Sequence, residues 1–182
     1  DRTFMSHHDT VATRKLGPPA AADGSVPTPV VREVVATSAT FGRPVGSVVC
    51  IPAFRRPEHL RLTLESVARQ AKARRFAIVV VENDAERRDS AAEATRFLAS
   101  SDRPGLCVVE PNQGNCHAIN AAFETARAAF PEARFFLMID DDEIAAPTWL
   151  DEMLSAAERS GADIVGGPVV PDFISAADRQ LG

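Results

Sequence analysis

The sequence predicts an α/β fold whose mainly parallel sheet is sandwiched by helices. Three observations predict it. Five short apolar runs alternate with four stretches whose apolar residues recur at helical spacing. The runs are continuous rather than alternating, as in strands covered on both faces. Polar clusters follow the runs at their carboxyl ends, which is where open α/β sheets bind ligands.

Residues 1–45 are rich in Pro, Ala, Ser and Thr and lack sustained periodicity, which predicts a flexible leader ahead of a domain over 46–182. The adjacent His7 and His8 in that leader read as a solvated pair. Val48 to Ile51 predicts a first strand that stops at Pro52. Pro57 suits the first turn of a helix whose Leu60, Leu64, Val67 and Ala71 share a face. Phe76 to Val81 predicts a second strand, ending in Glu82-Asn83-Asp84, and Ser90 to Ser100 a helix with Ala91, Ala94, Phe97 and Leu98 on one side. Leu106 to Val109 predicts a third strand leading into Pro111-Asn112-Gln113-Gly114. Ile119, Ala122, Phe123, Ala126 and Phe130 mark the next helix. Phe135 to Ile139 predicts a fourth strand that runs into Asp140-Asp141-Asp142-Glu143. Pro147 opens a last helix with Leu150, Met153, Leu154 and Ala157 inward, and Ala162 to Val165 predicts a fifth strand.

Composition excludes several classes. With 182 residues the chain is expected to form one domain, and 45% hydrophobic residues supply a core. A net charge of −5 argues against a nucleic-acid partner. The longest apolar stretch, Phe76 to Val81, is far below the roughly 18 residues that span a bilayer. Cys50, Cys107 and Cys116 have no paired spacing and read as reduced thiols. The expected location is therefore cytoplasmic.

Four features carry chemistry. Four consecutive acids repel one another, by roughly 4 kcal/mol for two unit charges about 4 Å apart at an effective dielectric near 20. Strand alternation would point Asp140 and Asp142 to one side, where a hard divalent cation suits them better than the alternatives, a solvated acidic turn or acids favouring the start of the helix that opens only at Pro147. Pro52-Ala53-Phe54-Arg55-Arg56-Pro57 places an aromatic and two arginines beyond the first strand, suited to stacking on a base and reaching phosphates, or to plain packing and solvation. Glu82-Asn83-Asp84 offers acceptors and an amide donor to a base or ribose, or forms an Asx-type turn. Asn112-Gln113-Gly114 precedes a helix whose N-terminus favours a diphosphate. His117, in the first turn of that helix, reads as structural rather than catalytic.

As an ordered series, these features resemble the donor half of the family 2 glycosyltransferases, whose fold is called GT-A. The resemblance covers about Val48 to Phe173. Val49 to Pro57 resembles the family's opening strand and Pro-x-Tyr-Asn-Arg turn, and Val80-Val81-Glu82-Asn83-Asp84 its Val-Val-Asp-Asp/Asn strand end. Asn112-Gln113-Gly114 through Ala118-Ile119-Asn120 is similar to its Asn-x-Gly…Ala-Arg-Asn segment, and Asp140 to Glu143 followed by Pro147 to its Asp-x-Asp metal motif. Within the family the wording resembles bacterial exopolysaccharide (succinoglycan-type) enzymes.

The resemblance implies inverting transfer of a sugar from a nucleotide-diphosphate donor, expected to be a UDP-sugar, to a saccharide or lipid-linked acceptor, with peripheral association at the inner membrane. Phe54 would stack near the base and Glu82 or Asn83 would read its edge, with Pro52, Ala53, Arg56, Asn112, Gly114 and Asp141 completing the nucleotide site. Asp140 and Asp142 would hold Mn2+ or Mg2+. Phe54 departs from the family's Tyr and Ile119 from its Arg. The family's base and acceptor-binding segments would fall beyond Gly182, so the resemblance implies a chain truncated at its C-terminus, with no base assigned within it. The alternative is a nucleotide-sugar-binding fragment without catalysis. A receiver-type signalling domain needs a late lysine, and no Lys follows Lys72. A sugar nucleotidyltransferase needs a Gly-rich loop where this chain has Pro52-Ala53-Phe54.

Overall fold

The computed structural model describes residues 32–70 and 74–171. In chain order the elements are β1 (Glu33–Thr37), β2 (Ser47–Ala53), α1 (Pro57–Ala68), β3 (Phe76–Glu82), α2 (Asp89–Ser100), β4 (Gly105–Val109), α3 (Asn115–Ala129), β5 (Phe135–Met138) and α4 (Trp149–Ser160). The sheet order is β1-β4-β3-β2-β5. β2 pairs in parallel with β3 and β5, and β3 with β4, whereas β1 joins β4 antiparallel. Every residue of β2, β3 and β4 is buried, which is why these strands read as unbroken apolar runs. On one face Val48, Cys50, Ala77, Val79, Val81, Leu106 and Val108 pack with Ala118, Ala121, Ala122, Ala126 and Phe130, the inner side of α3. α2 covers the other face, where Leu98 lies against Gly105.

The expected strands and helices are present as β2 to β5 and four helices, although β5 ends at Met138 rather than Ile139, α4 begins at Trp149 rather than Pro147, and Ala71 lies outside the described residues; three further details differ. β1 lies inside the stretch read as a flexible leader; the antiparallel ladder to β4 orders a segment whose own sequence carries little pattern, and its residues are only half-buried or exposed. The rest of that leader, with His7 and His8, is outside the described residues. β2 does not stop at Pro52 but continues to Ala53. The Cys50 carbonyl accepts from Ile139, the residue after β5, and the Ala53 carbonyl from Asn83 beside β3, so alternation turns Pro52 toward β5. β5 pairs only as far as Met138 opposite Cys50, so no ladder bond is lost where proline lacks its N–H. Residues 162–165 form no strand: Ile164 is exposed, and no neighbouring strand pairs with this segment.

The chain divides into two units, of which the second spans residues 25–152. The sheet and both concavities described below belong wholly to the second. Among the described residues no helix is long and apolar enough to cross a membrane. Cys50 and Cys107 are buried and burial pushes both thiols up to about 12, whereas Cys116 is exposed.

Candidate donor-binding site

A concavity of about 340 Å3 opens at the carboxyl ends of β2 and β3. Pro52, Ala53, Phe54, Arg56, Asn83, Gly114, Asp140 and Asp141, all named from the sequence, line it, together with Gln113, Asn115 and Ala118. Three loops build it.

The first follows β2. Arg55 has a left-handed backbone, φ 56°, uncommon for a residue with a Cβ. Its guanidinium bonds Asp84 at 2.5 Å and lies 4.7 Å from the centre of the Phe54 ring, so strain in the turn is met by two contacts that fix the aromatic. The Asp84 carboxyl is held below its usual value, chiefly by this bond.

The second follows β5. Its regular pairing ends at Met138, and residues 140–143 form a turn closed by the Glu143 N–H donating to the Asp140 carbonyl at 3.2 Å. Strand alternation therefore does not operate there, which corrects the expectation that Asp140 and Asp142 share a side. The neighbours Asp140 and Asp141 face the concavity, and Asp142 reaches the Arg56 guanidinium. Asp141 is buried; it accepts the Phe54 N–H at 2.9 Å and sits 3.4 Å from Arg56 Nε. Burial raises its carboxyl above the usual value in spite of these partners. Asp140 is exposed, and among the described residues nothing bonds its carboxylate.

The third lies between β4 and α3. Gly114, at φ 140°, adopts a conformation that side chains disfavour, and its N–H donates to Asn83 Oδ1 at 2.7 Å. Asn83 Nδ2 donates to the Glu110 and Asn112 carbonyls at 3.1 and 2.8 Å. α3 has no side-chain cap, and Gly114, Asn115 and Ala118 at its amino end line the concavity.

Three sequence assignments need correction. Glu82 does not line the concavity: fully buried, it accepts the N–H groups of Asp84 and Ala91, each at 2.9 Å, and so caps α2 from the other face of the sheet. Burial raises its carboxyl even so. Asn83 lines the wall, but its amide is spent on the β4–α3 loop rather than presented to a base. Asn112 lies beside the concavity, its N–H and amide both donating to Glu110 Oε1 at 2.9 Å. His117 is exposed.

Sequence reasoning missed the supports. Thr63 and Ser66 on α1, with Gln70 just beyond its end, make a buried polar stripe at i, i+3 and i+7. The Thr63 hydroxyl lies 3.0 and 2.7 Å from the Asp141 and Glu143 carbonyls. Ser66 Oγ accepts the Ala145 N–H at 2.9 Å, and Gln70 donates to Ala146 O at 2.7 Å and accepts from Leu150 N–H at 3.0 Å. Three polar residues on an otherwise apolar helix face were the available signal.

Fold and site together define a GT-A type α/β domain with a ligand concavity at the carboxyl ends of its central strands. The chain belongs to glycosyl transferase family 2, whose sequence pattern it matches over residues 48–181. It is 31% identical over 135 residues to the succinoglycan biosynthesis protein ExoM of Rhizobium meliloti, covering 70% of this chain and 40% of that protein. It is 29% identical over 132 residues to the glucosyl-dolichyl phosphate glucuronosyltransferase of Haloferax volcanii, covering 72% of this chain and 40% of the other. An uncharacterized protein of Sinorhizobium fredii is 30% identical over 126 residues, covering 69% of this chain and 13% of the relative. This chain thus spans between 13% and 40% of the length of these relatives. Among solved structures, S. aureus TarS 1–349 in complex with UDP superposes with TM-score 0.51 at 20% identity, over 69% of this chain and 38% of that one. A mannosyltransferase of Pyrobaculum calidifontis, in complex with GDP-Man and Mn2+, superposes with TM-score 0.50 at 20% identity, over 68% and 34%. At these identities the superpositions establish the fold.

Proposed function

We propose that this domain binds a nucleotide-diphosphate sugar, a UDP-sugar in the first instance, for inverting transfer to a saccharide or lipid-linked acceptor in polysaccharide synthesis at the cytoplasmic side of a membrane. The observation that carries it is the concavity itself, which sets an aromatic, an uncapped helix N-terminus and an unpartnered carboxylate around one space. Phe54 would stack on the base, its ring set by Arg55 and its N–H by Asp141. The N–H groups at the amino end of α3, opened by Gly114, would donate to the diphosphate oxygens. Family membership and the ligands named for the two solved relatives support this reading.

The acid turn fits Mn2+ or Mg2+: its donors are hard oxygens, Asp140 is unpartnered, and Asp142 is exposed and paired only with the exposed Arg56. Among the described residues no group of three ligating side chains gathers, so substrate and water oxygens would complete the shell. A cation there would neutralise charge developing on the leaving diphosphate. Arg56 would release Asp142 as the donor enters and turn toward the phosphates. The catalytic base has no candidate among the described residues lining the concavity, whose acids are Asp140 and Asp141. That observation favours the second reading, a donor-binding unit that does not itself transfer sugar.

Calorimetric titration of UDP with and without Mn2+ tests donor binding. Outer-shell partners of a metal are worth roughly 10–100-fold in affinity, so Asp140→Ala should weaken metal-dependent UDP binding by more than about tenfold. UDP heats indifferent to both Mn2+ and Asp140→Ala would overturn the proposal. Sugar transfer by the 182-residue chain would reject the second reading.

A further inference from the structure

The amino ends of the same strands carry a second concavity, of about 410 Å3, whose chemistry is the reverse of the first. Arg43, Arg74, Arg75 and Arg103 line it against a single acid, Asp102. Its floor is apolar and buried, at Phe76, the first residue of β3. Arg103 is fixed: its guanidinium lies 4.0 Å over the Phe76 ring, and Nη2 donates to the Gln70 carbonyl at 2.8 Å. Arg74 donates to Asp151 at 2.8 Å. Arg43 and Arg75 are exposed and pair with no carboxylate among the described residues.

In a chain of net charge −5, four guanidinium groups gather around one apolar-floored hollow and, among the described residues, meet only two nearby acids, Asp102 and Asp151, so Arg43 and Arg75 leave an excess of positive charge there that an anion would join. We propose that this hollow is a binding site for a phosphate group. The guanidinium fork matches phosphate oxygens two at a time, and Arg103, held flat by ring and carbonyls, presents its outer edge already oriented. The apolar floor limits screening of the charges above it. The hollow is too small for an extended polyanion, which the acidic remainder of the chain would also repel. It shares no lining residue with the concavity near Asp140, so the proposal stands apart from the donor reading.

Inorganic phosphate, titrated at low ionic strength into the 182-residue chain and followed by amide shifts, should bind saturably and move the signals of Arg43, Val45, Arg103 and Gly105. The double variant Arg43→Gln/Arg75→Gln should bind about tenfold more weakly. Equal thermal melts would show that the exposed arginines are not needed for folding. Phosphatidylglycerol vesicles separate the sources of the phosphate. Pelleting by the wild type but not by the double variant, with phosphatidylcholine as control, assigns a lipid headgroup; phosphate binding without pelleting assigns a free phosphate compound. Absent or unsaturable phosphate binding, or binding that the double variant keeps, overturns the site.

Discussion

At the scale of single residues, the concavity is shaped by side chains acting on backbone. Asp141 holds the Phe54 N–H, Asn83 holds the Gly114 N–H, and Arg55 holds Asp84 while lying on Phe54. The last pair makes a pH prediction. Because Arg55 lowers the Asp84 carboxyl in the folded state, its stabilisation is complete above the ordinary aspartate value and is lost as pH falls through the lowered one. The gap in melting temperature between wild type and Arg55→Ala should hold steady from neutrality to about pH 4 and then close. A gap that widens on acidification would show that Asp84 is not held in this way. The motif residues were legible because their types are few, but their duties were not. Glu82 was expected at a base edge and instead caps α2, because the alternation of β3 turns it to the other face.

At the scale of elements, helix α1 does more than cover the sheet. Its Thr63 and Ser66, with Gln70 just beyond its end, carry the acid turn and the approach to α4, binding a segment that has little regular structure of its own. The contact between β4 and α2 is closer still. A Cβ at Gly105 would lie 2.7 Å from the Ile78 carbonyl and 2.8 Å from Leu98 Cδ2. Gly105→Ala should therefore cost about 1–3 kcal/mol, measured by denaturant titration, and a change below 0.5 kcal/mol would mean that strand and helix separate easily. Continuous apolar runs and helical spacing made β2 to β5 and the four helices readable. β1 was not, because an edge strand with exposed residues carries no such signal and exists through its partner β4.

At the scale of the whole molecule, acids at one end of the central strands and arginines at the other give this small sheet two differently charged ends. Net charge nonetheless governs solubility, and with an isoelectric point near 5.4 turbidity of concentrated protein should peak near that pH and fall on both sides. A maximum well above neutrality would mean that the arginine-lined end, rather than the net charge, drives association.

What the sequence determined by itself was the alternation of strands and helices, the end of the sheet where ligands belong, and the family, since these follow from periodicity and from residue types at chain positions. The tertiary structure decided which side chains face the concavity, because pairing register and turn geometry set direction at β5, where Asp140 and Asp141 rather than Asp140 and Asp142 came to lie together. It also decided the arginine hollow, whose members are scattered along the chain and meet only because parallel strands bring their amino ends to one edge.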